Sequence, residues 1–549
     1  MESLKTIVLG IIIIVSFVFV INKLPKVLVS IQPSSQLAQV ASAANWYVDN
    51  ALPLTGTHDG RSWATAWLNL PNVTNAVQPG DTVYISGGSN SQTYSVNAWR
   101  PPSSGTASMP ITYRAGQDNG HNGTVVFSGN GGGTFIIVPQ VNCRPYITFD
   151  GNYNGQNHIR ITNYNLAIYG DSCNGWKFRY INFEGGTGGS VGIRLSGASF
   201  MEVSNSYIRS YNSDDTISVM GGNALIHDNT IYLSQGTGLG DDGVKWPGPG
   251  SRIYNNTIIG YVIPDYNIGQ HSDGVQAWSS DIRIYGNIFM NLANSCIFFA
   301  PAATAPDVSD VWIYNNVCHY SGQSLAVGNN NAGQTTNFRN FLIANNLVID
   351  GQNFRFERYI CPTCVNNWDN TTIIANNALY NSGGTLIDPA IRSTNNVAVT
   401  GTNGSLHFVK YTRPISHSTY DPSQYDFHLV ATDTSFRDAG SNSAVAAFFS
   451  TDLDGVYRPQ EGIWDVGPYE YVSGGPSPTT YTLIVSKSGT GSGTDSGTVT
   501  GTGINCGSDC SESYGSGTSV TLTASASLGS TFSSWGGACS GTTTTCTVT

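Results

Sequence analysis

Of 549 residues only 11% are charged and 63 are glycine, a balance that suits a turn-rich β protein rather than a helical one. The net charge of −11 argues against nucleic acid as a partner, but not against an acidic polysaccharide, which a cation can bridge to an acidic site. A chain of this length buries a large core and holds more than one structural unit.

Residues 1–44 read as a targeting segment. Lys5 precedes an apolar run from Ile7 to Ile21, which is short for a spanning helix. The best cleavage-like site, Ala41-Ser42-Ala43, follows only after Lys23 and Lys26. A cleaved secretory signal and a retained N-terminal membrane anchor both stay open, and either one exports the rest of the chain. The expected location is therefore secreted or cell-surface. Ten cysteines fit that oxidising setting. Cys506, Cys510, Cys539 and Cys546 are expected to pair among themselves, in one of three connectivities. Cys361 and Cys364 read as a loop disulfide or two free thiols, and Cys318 as a small core residue.

Next comes a predicted capping helix over residues 64–78, carrying Trp67, Leu68, Val73 and Val77 and interrupted at Pro71. It would cover the open strand edges at one end of a β structure, whose first strand is predicted to begin at Thr82. Six asparagines then recur, Asn229, Asn256, Asn287, Asn316, Asn346 and Asn377, at intervals of 27, 31, 29, 30 and 31 residues. Three positions before each lies an isoleucine: Ile226, Ile253, Ile284, Ile313, Ile343 and Ile374. Two positions after each lies another apolar residue: Ile231, Ile258, Phe289, Cys318, Val348 and Leu379. A fixed period of this kind marks a solenoid, and β-branched residues separated by turn chemistry make each repeat a coil of short strands. Stacked coils place equivalent residues about 4.8 Å apart. The isoleucines then form an inward ladder, and the asparagine amides bond up and down the stack. The sequence thus predicts a parallel β-helix running to about residue 400.

A less regular segment follows, ending in Asp452, Asp454, Gly455, Arg458 and Pro459 and then Trp464, Asp465, Gly467, Glu470 and Tyr471. Residues 473–480 form a linker by composition, and 481–549 a small Ser/Thr/Gly-rich β module. The opening around Asp59-Gly60-Arg61-Ser62-Trp63, the ladder and the closing segment together resemble the secreted bacterial right-handed parallel β-helix proteins related to pectate lyases. That resemblance covers residues 45–472 and implies an all-β, right-handed parallel β-helix with an N-terminal capping helix. The family holds polysaccharide lyases, hydrolases, epimerases and non-catalytic surface proteins, so fold does not settle activity. The module, through Thr518–Ser525 and Phe532-Ser533-Ser534-Trp535, is similar to an internalin-type bacterial B repeat, which implies a spacer or attachment unit. It ends at Thr549, where such a repeat would continue with another strand, so the chain reads as truncated.

Fourteen residues before three consecutive ladder asparagines lie Asp215, Asp242 and Asp273. Ile217, Val244 and Val275 then align as inward residues, so the acids align at the strand starts of three neighbouring coils. Asp214 and Asp241 bring the patch to five carboxylates, which repel unless compensated. Ca²⁺, which takes several carboxylate oxygens, is the expected partner; a single aspartate per coil would need only turn hydrogen bonds. Lys245 shares a stack position with Ser218 and Gln276. It reads either as a solvated lysine neutralising the acids or as the base of a β-elimination. Pectate-lyase-like β-helices pair calcium-binding aspartates with a basic residue, and Asp273-Gly274 resembles their Asp-Gly element.

The rival enzyme is an inverting glycoside hydrolase, because Asn212-Ser213-Asp214 and Gly240-Asp241-Asp242 look similar to polygalacturonase elements, although that family's downstream motifs are missing. A non-catalytic surface or adhesion protein is the third reading. His271 beside Asp273 reads as a turn histidine or a proton-transfer assistant. Arg252 and Arg283 stack and would line a carboxylate-binding groove, or else lie solvated on a strand. Trp278, with Gln276, would contact a sugar; Trp246 is either a second platform or core. The expected partner is a polysaccharide, acidic by this chemistry.

Overall fold

The structure is a computed structural model that describes residues 43–548 apart from 132, 139–141, 165, 185–191, 210–214, 234–241, 261–271, 302–304, 330–332, 352–353, 357–362, 384, 388–390, 402, 474–479, 488–496, 502–503, 507–509, 516–519, 528–529, 537 and 540. The targeting segment therefore lies outside the described residues. Three large sheets run the length of the solenoid, of thirteen, twelve and ten strands. Each strand pairs in parallel with the strand one coil further on, as in Ile226↔Ile253, Ile253↔Ile284 and Ile284↔Ile313. This is a parallel β-helix, and its last coil strand is Val397–Val399.

The predicted ladders are present and longer than the repeat suggested. Inward residues of the thirteen-stranded sheet stack from Trp46 through Val83, Tyr113, Phe149, Phe178 and Val203 to Ile226 and on to Ile374. Each asparagine accepts at Oδ1 from the backbone N–H of the preceding coil, as Asn316 does from Asn287 at 3.0 Å. Its Nδ2 donates to Ile284 O and to Asn346 Oδ1, both at 2.9 Å. Asn396 extends the ladder at one end, and at the other Ser206 N donates to Asn229 Oδ1. These side chains are fully buried, so satisfying every polar atom is what makes the position tolerable.

Three expectations need correction. The capping helix is absent: residues 64–78 form two single 3₁₀ turns, Trp63–Thr65 and Leu70–Asn72. Ser62 and Asn69 cap these turns from their side chains, and Pro71 removes a donor that a continuous helix would need. Trp67, Leu70, Val73 and Val77 are nevertheless buried on the first coil, where Trp67 stacks on Trp46 at 5.2 Å. That coil begins at Asn45–Val48, ahead of the predicted first strand, and pairs with Thr82–Ile85. Cys318 is not a lone core residue but is bonded to Cys296, an inward neighbour on the adjoining sheet. Cys143–Cys173, Cys506–Cys510 and Cys539–Cys546 are also disulfides, and Cys364 is disulfide-bonded.

Residues 404–471 fold back as a strap over the outside of the coils. Phe408, Tyr420, Phe427 and Phe436 pack on the outward side chains Ile259, Met290, Ile349 and Tyr380. The residue before each of Asn316, Asn346, Asn377 and Asn396 fixes the strap. Asn315, Asn345, Asn376 and Asn395 all have positive φ, a conformation that asparagine tolerates better than most residues. Their amides therefore turn outward and donate to Thr451 O, Asp465 O and Gly467 O, Ser441 O and Ala439 O. The closing motif is structural: Arg458 is buried on Glu470 at 2.9 Å.

His428 clasps the strap between Asp426 and Asp454, each at 2.5 Å. Burial opposes its charge, but the two carboxylates outweigh burial and push its pKa up to about 10. A raised folded pKa stabilises fully below the unfolded value and is lost as pH rises through the folded one. His428→Asn should therefore cost roughly 2–4 kcal/mol at pH 6, with the difference shrinking to nothing above pH 10. Thermal melts of both proteins across pH 5–11 check this; a difference independent of pH would exclude the ion pair as its source.

The C-terminal module is a small antiparallel unit. Ile504–Cys506, Gly497–Gly501, Val520–Ala526 and Thr545–Val548 form a four-stranded sheet over Val499, Leu522 and Cys539.

Candidate functional site

The acid column sits on the ten-stranded sheet, where Asp215–Val219, Asp242–Lys245, Val275–Ala277 and Ser295–Phe299 are neighbours. Asp215 pairs with Asp242, Ile217 with Val244, and Ser218 with Lys245. Val244 and Lys245 pair in turn with Val275 and Gln276. Ile217, Val244 and Val275 are fully buried, which turns Lys245 and Gln276 to the outer face. The register is the one obtained by counting back from the asparagines. Gly243 and Gly274 follow their aspartates because a Cβ at 274 would stand 2.3 Å from the Phe289 ring and one at 243 would stand 2.6 Å from Gly274 O.

Lys245 Nζ lies 2.6 Å from Asp215 Oδ1 and 3.3 Å from Asp242 Oδ2. The Asp242 side chain is 1% exposed, so its charge needs that partner. Burial works against the lysine's charge, but hydrogen bonding to Asp215 and the charge of Asp242 outweigh it, and the pKa rises above the ordinary lysine value. Depression of that pKa, which the base reading assumed, is thus corrected: the ammonium is held, not released. Asp242 Oδ1 accepts from Asp273 N at 2.9 Å. Asp273 Oδ1 in turn accepts from Ser295 N at 2.8 Å and Asn294 Nδ2 at 2.9 Å. Each of these two acids therefore fastens the start of the next coil, the turn role that aspartate performs without any metal. Asn294 and Ser295 were missed in the sequence because they follow an irregular interval with no acid of their own.

Trp246 has positive φ, which swings its ring out of strand alternation. It is half-buried and stacks on Trp278 at 5.5 Å, and the Lys245 ammonium sits 4.8 Å from its ring. Gln276 Oε1 is buried with no hydrogen-bond partner among the described residues. Asp214, Asp241 and His271 lie outside the described residues. Arg252 and Arg283 stack as expected but belong to the thirteen-stranded sheet, so they do not line a groove with Lys245. Arg252 pairs with Asp281 at 3.2 Å, and Arg283 lies 3.8 Å from the Trp312 ring.

Among the described residues no three His, Cys, Asp or Glu side chains gather as a metal site. The described oxygens also fit Ca²⁺ poorly, since Asp215 and Asp242 face an ammonium and Asp273 Oδ1 takes two N–H donors. Two carboxylates that share one ammonium stand closer than the roughly 6.5–9.5 Å of an inverting hydrolase pair.

Residues 166–348 match the family model described as a right handed beta helix region, and residues 482–549 match the divergent InlB B-repeat domain. The chain is therefore an all-β protein that carries a right-handed parallel β-helix and a C-terminal B-repeat module. No curated protein matches it. Among solved structures it is similar to pectate lyase Pel9A, at 14% identity over 79% of this chain and 98% of that one, with a TM-score of 0.43. A rhamnogalacturonan lyase matches at 13% over 71% and 97%, with a TM-score of 0.36. An alginate lyase from Paenibacillus sp. str. FPU-7 matches at 17% over 59% and 93%, with a TM-score of 0.31.

Proposed function

We propose that this chain is an exported carbohydrate-active protein that cleaves an acidic polysaccharide by β-elimination on the outer face of the ten-stranded sheet, with Lys245 as the base. The observation that carries the reading is the amine held between two stacked carboxylates, beside a half-buried tryptophan pair on an outward row. In the reaction the deprotonated fraction of Lys245, kept small because Asp215 and Asp242 favour the ammonium, removes the proton from C5 of a uronate. The freed electron pair forms the C4–C5 double bond, and the C4–O4 bond breaks with its electrons leaving on oxygen, which takes a proton from water, while the Lys245 ammonium later returns its proton to solvent. Asp215 and Asp242 orient the amine and set its proton affinity, while Trp246 and Trp278 offer apolar surface to a pyranose. The disulfides support an extracytoplasmic setting.

Calcium held by Asp214, Asp215, Asp241, Asp242 and Asp273 is a separate proposal, and no step here is routed through it. Its proposed ligands include Asp214 and Asp241, so the calcium proposal goes to the assay. The purified chain is incubated with a panel of acidic polysaccharides, with calcium and then with chelator, while ultraviolet absorbance of the conjugated uronate is followed. A rise that survives chelation is expected. Loss on chelation, restored by calcium, would place the metal in the reaction. New reducing ends without absorbance would replace the lyase by a hydrolase, and neither signal would leave a scaffold.

A further inference from the structure

The outward row that carries Lys245 continues along the ten-stranded sheet. Ser218 pairs with Arg194, and Arg194 with Tyr169. In the other direction Gln276 pairs with Phe298, and Phe298 with Ala326. The two directions differ in chemistry. Phe298 and Ala326 are buried, whereas Arg194 is exposed and Tyr169 is 40% exposed. Lys245 is saturated by its two aspartates, while Arg194 has no ion pair or hydrogen bond among the described residues. Among the described residues the row therefore offers an exposed guanidinium without a partner, two strand spacings or about 10 Å from the amine.

Resting on the lyase reading above, we infer that Arg194 is a substrate-binding residue that clamps the carboxylate of a uronate about two sugars from the one attacked, with Tyr169 supporting the next ring. An extended 1,4-linked chain advances by about one strand spacing per pyranose, so a polymer laid along the row brings successive carboxylates past successive rungs. Ser218, on the intervening rung, is small and carries no charge, so no side chain there competes for a carboxylate. Guanidinium meets carboxylate through two parallel N–H···O bonds, which an ammonium cannot reproduce. The substrate class that follows is a contiguous polyuronate, not a neutral chain with isolated acidic residues. Arg194 acts on binding and touches no reacting atom.

The test uses the whole chain and its Arg194→Gln and Arg194→Lys variants. Binding of polygalacturonate, alginate and fully methyl-esterified polygalacturonate is measured by titration calorimetry, and KM and kcat are taken from the absorbance of unsaturated product. Arg194→Gln should weaken the preferred polyuronate about tenfold and raise KM with kcat unchanged, and Arg194→Lys should recover only part of that loss. Binding of the methyl ester should not differ between the proteins. Equal polyuronate binding by wild type and Arg194→Gln would overturn the Arg194 assignment and leave the lyase reading standing. A wild type that binds neither polyuronate would overturn the acidic-substrate reading itself, and the clamp with it.

Discussion

Replacing Asn316 by alanine should lower the unfolding free energy of the β-helix by roughly 3–5 kcal/mol. The side chain is fully buried and lies mid-ladder. It accepts from Asn287 N and Asn287 Nδ2 and donates to Ile284 O and Asn346 Oδ1. Alanine leaves the partners of all four bonds short of a bond where water does not reach, and each such group costs about 1 kcal/mol or more. A solenoid is stabilised by coil-to-coil interfaces, so the loss falls on one junction and the transition should also broaden. Asn396→Ala, at the end of the ladder and partly buried, should cost less than half as much. Urea unfolding followed by circular dichroism measures both. A loss under about 1 kcal/mol for Asn316→Ala would mean that stacked isoleucines hold the coils without the amides.

The ladder was legible because Ile226 through Ile374 repeat with one spacing and one turn residue. The upstream coils were not, because there the inward position is filled by Tyr113, Phe149 and Phe178, and only Phe149 has an asparagine three residues on. The strap was hidden in the Asn-Asn pairs. In Asn315-Asn316, Asn345-Asn346 and Asn376-Asn377 only the second asparagine was recognised, whereas the first, with positive φ, ties residues 404–471 down. The same counting that aligned Asp215 with Asp242 also aligned Arg252 with Arg283. A period fixes position along the axis, and it does not fix the angle around it. The spacing therefore could not show that Lys245 and Arg283 lie on different sheets. The lysine's pKa could not be read from sequence either, because its direction depends on how closely two carboxylates approach one amine.

Alanine at Lys245 should cut unsaturated-product formation by at least about a thousandfold, the upper part of the range for loss of a general base. The wild-type rate should rise about tenfold per pH unit up to the raised pKa of Lys245, because only the minor deprotonated fraction accepts a proton. Asp215→Asn tests the assignment from the other side. It removes the hydrogen bond that helps hold the proton, so the pKa falls and the rising limb moves to lower pH, with Lys245 still present. Folding must be separated from chemistry, since Lys245→Ala leaves Asp242 buried beside Asp215 with no cation. Breaking such a pair costs about 3 kcal/mol, and one of the acids then takes up a proton. The double variant Lys245→Ala, Asp215→Asn relieves the repulsion and should melt closer to wild type while making no product. A stable, inactive double variant attributes the loss to the missing amine; an active one hands proton abstraction to another group on the same face.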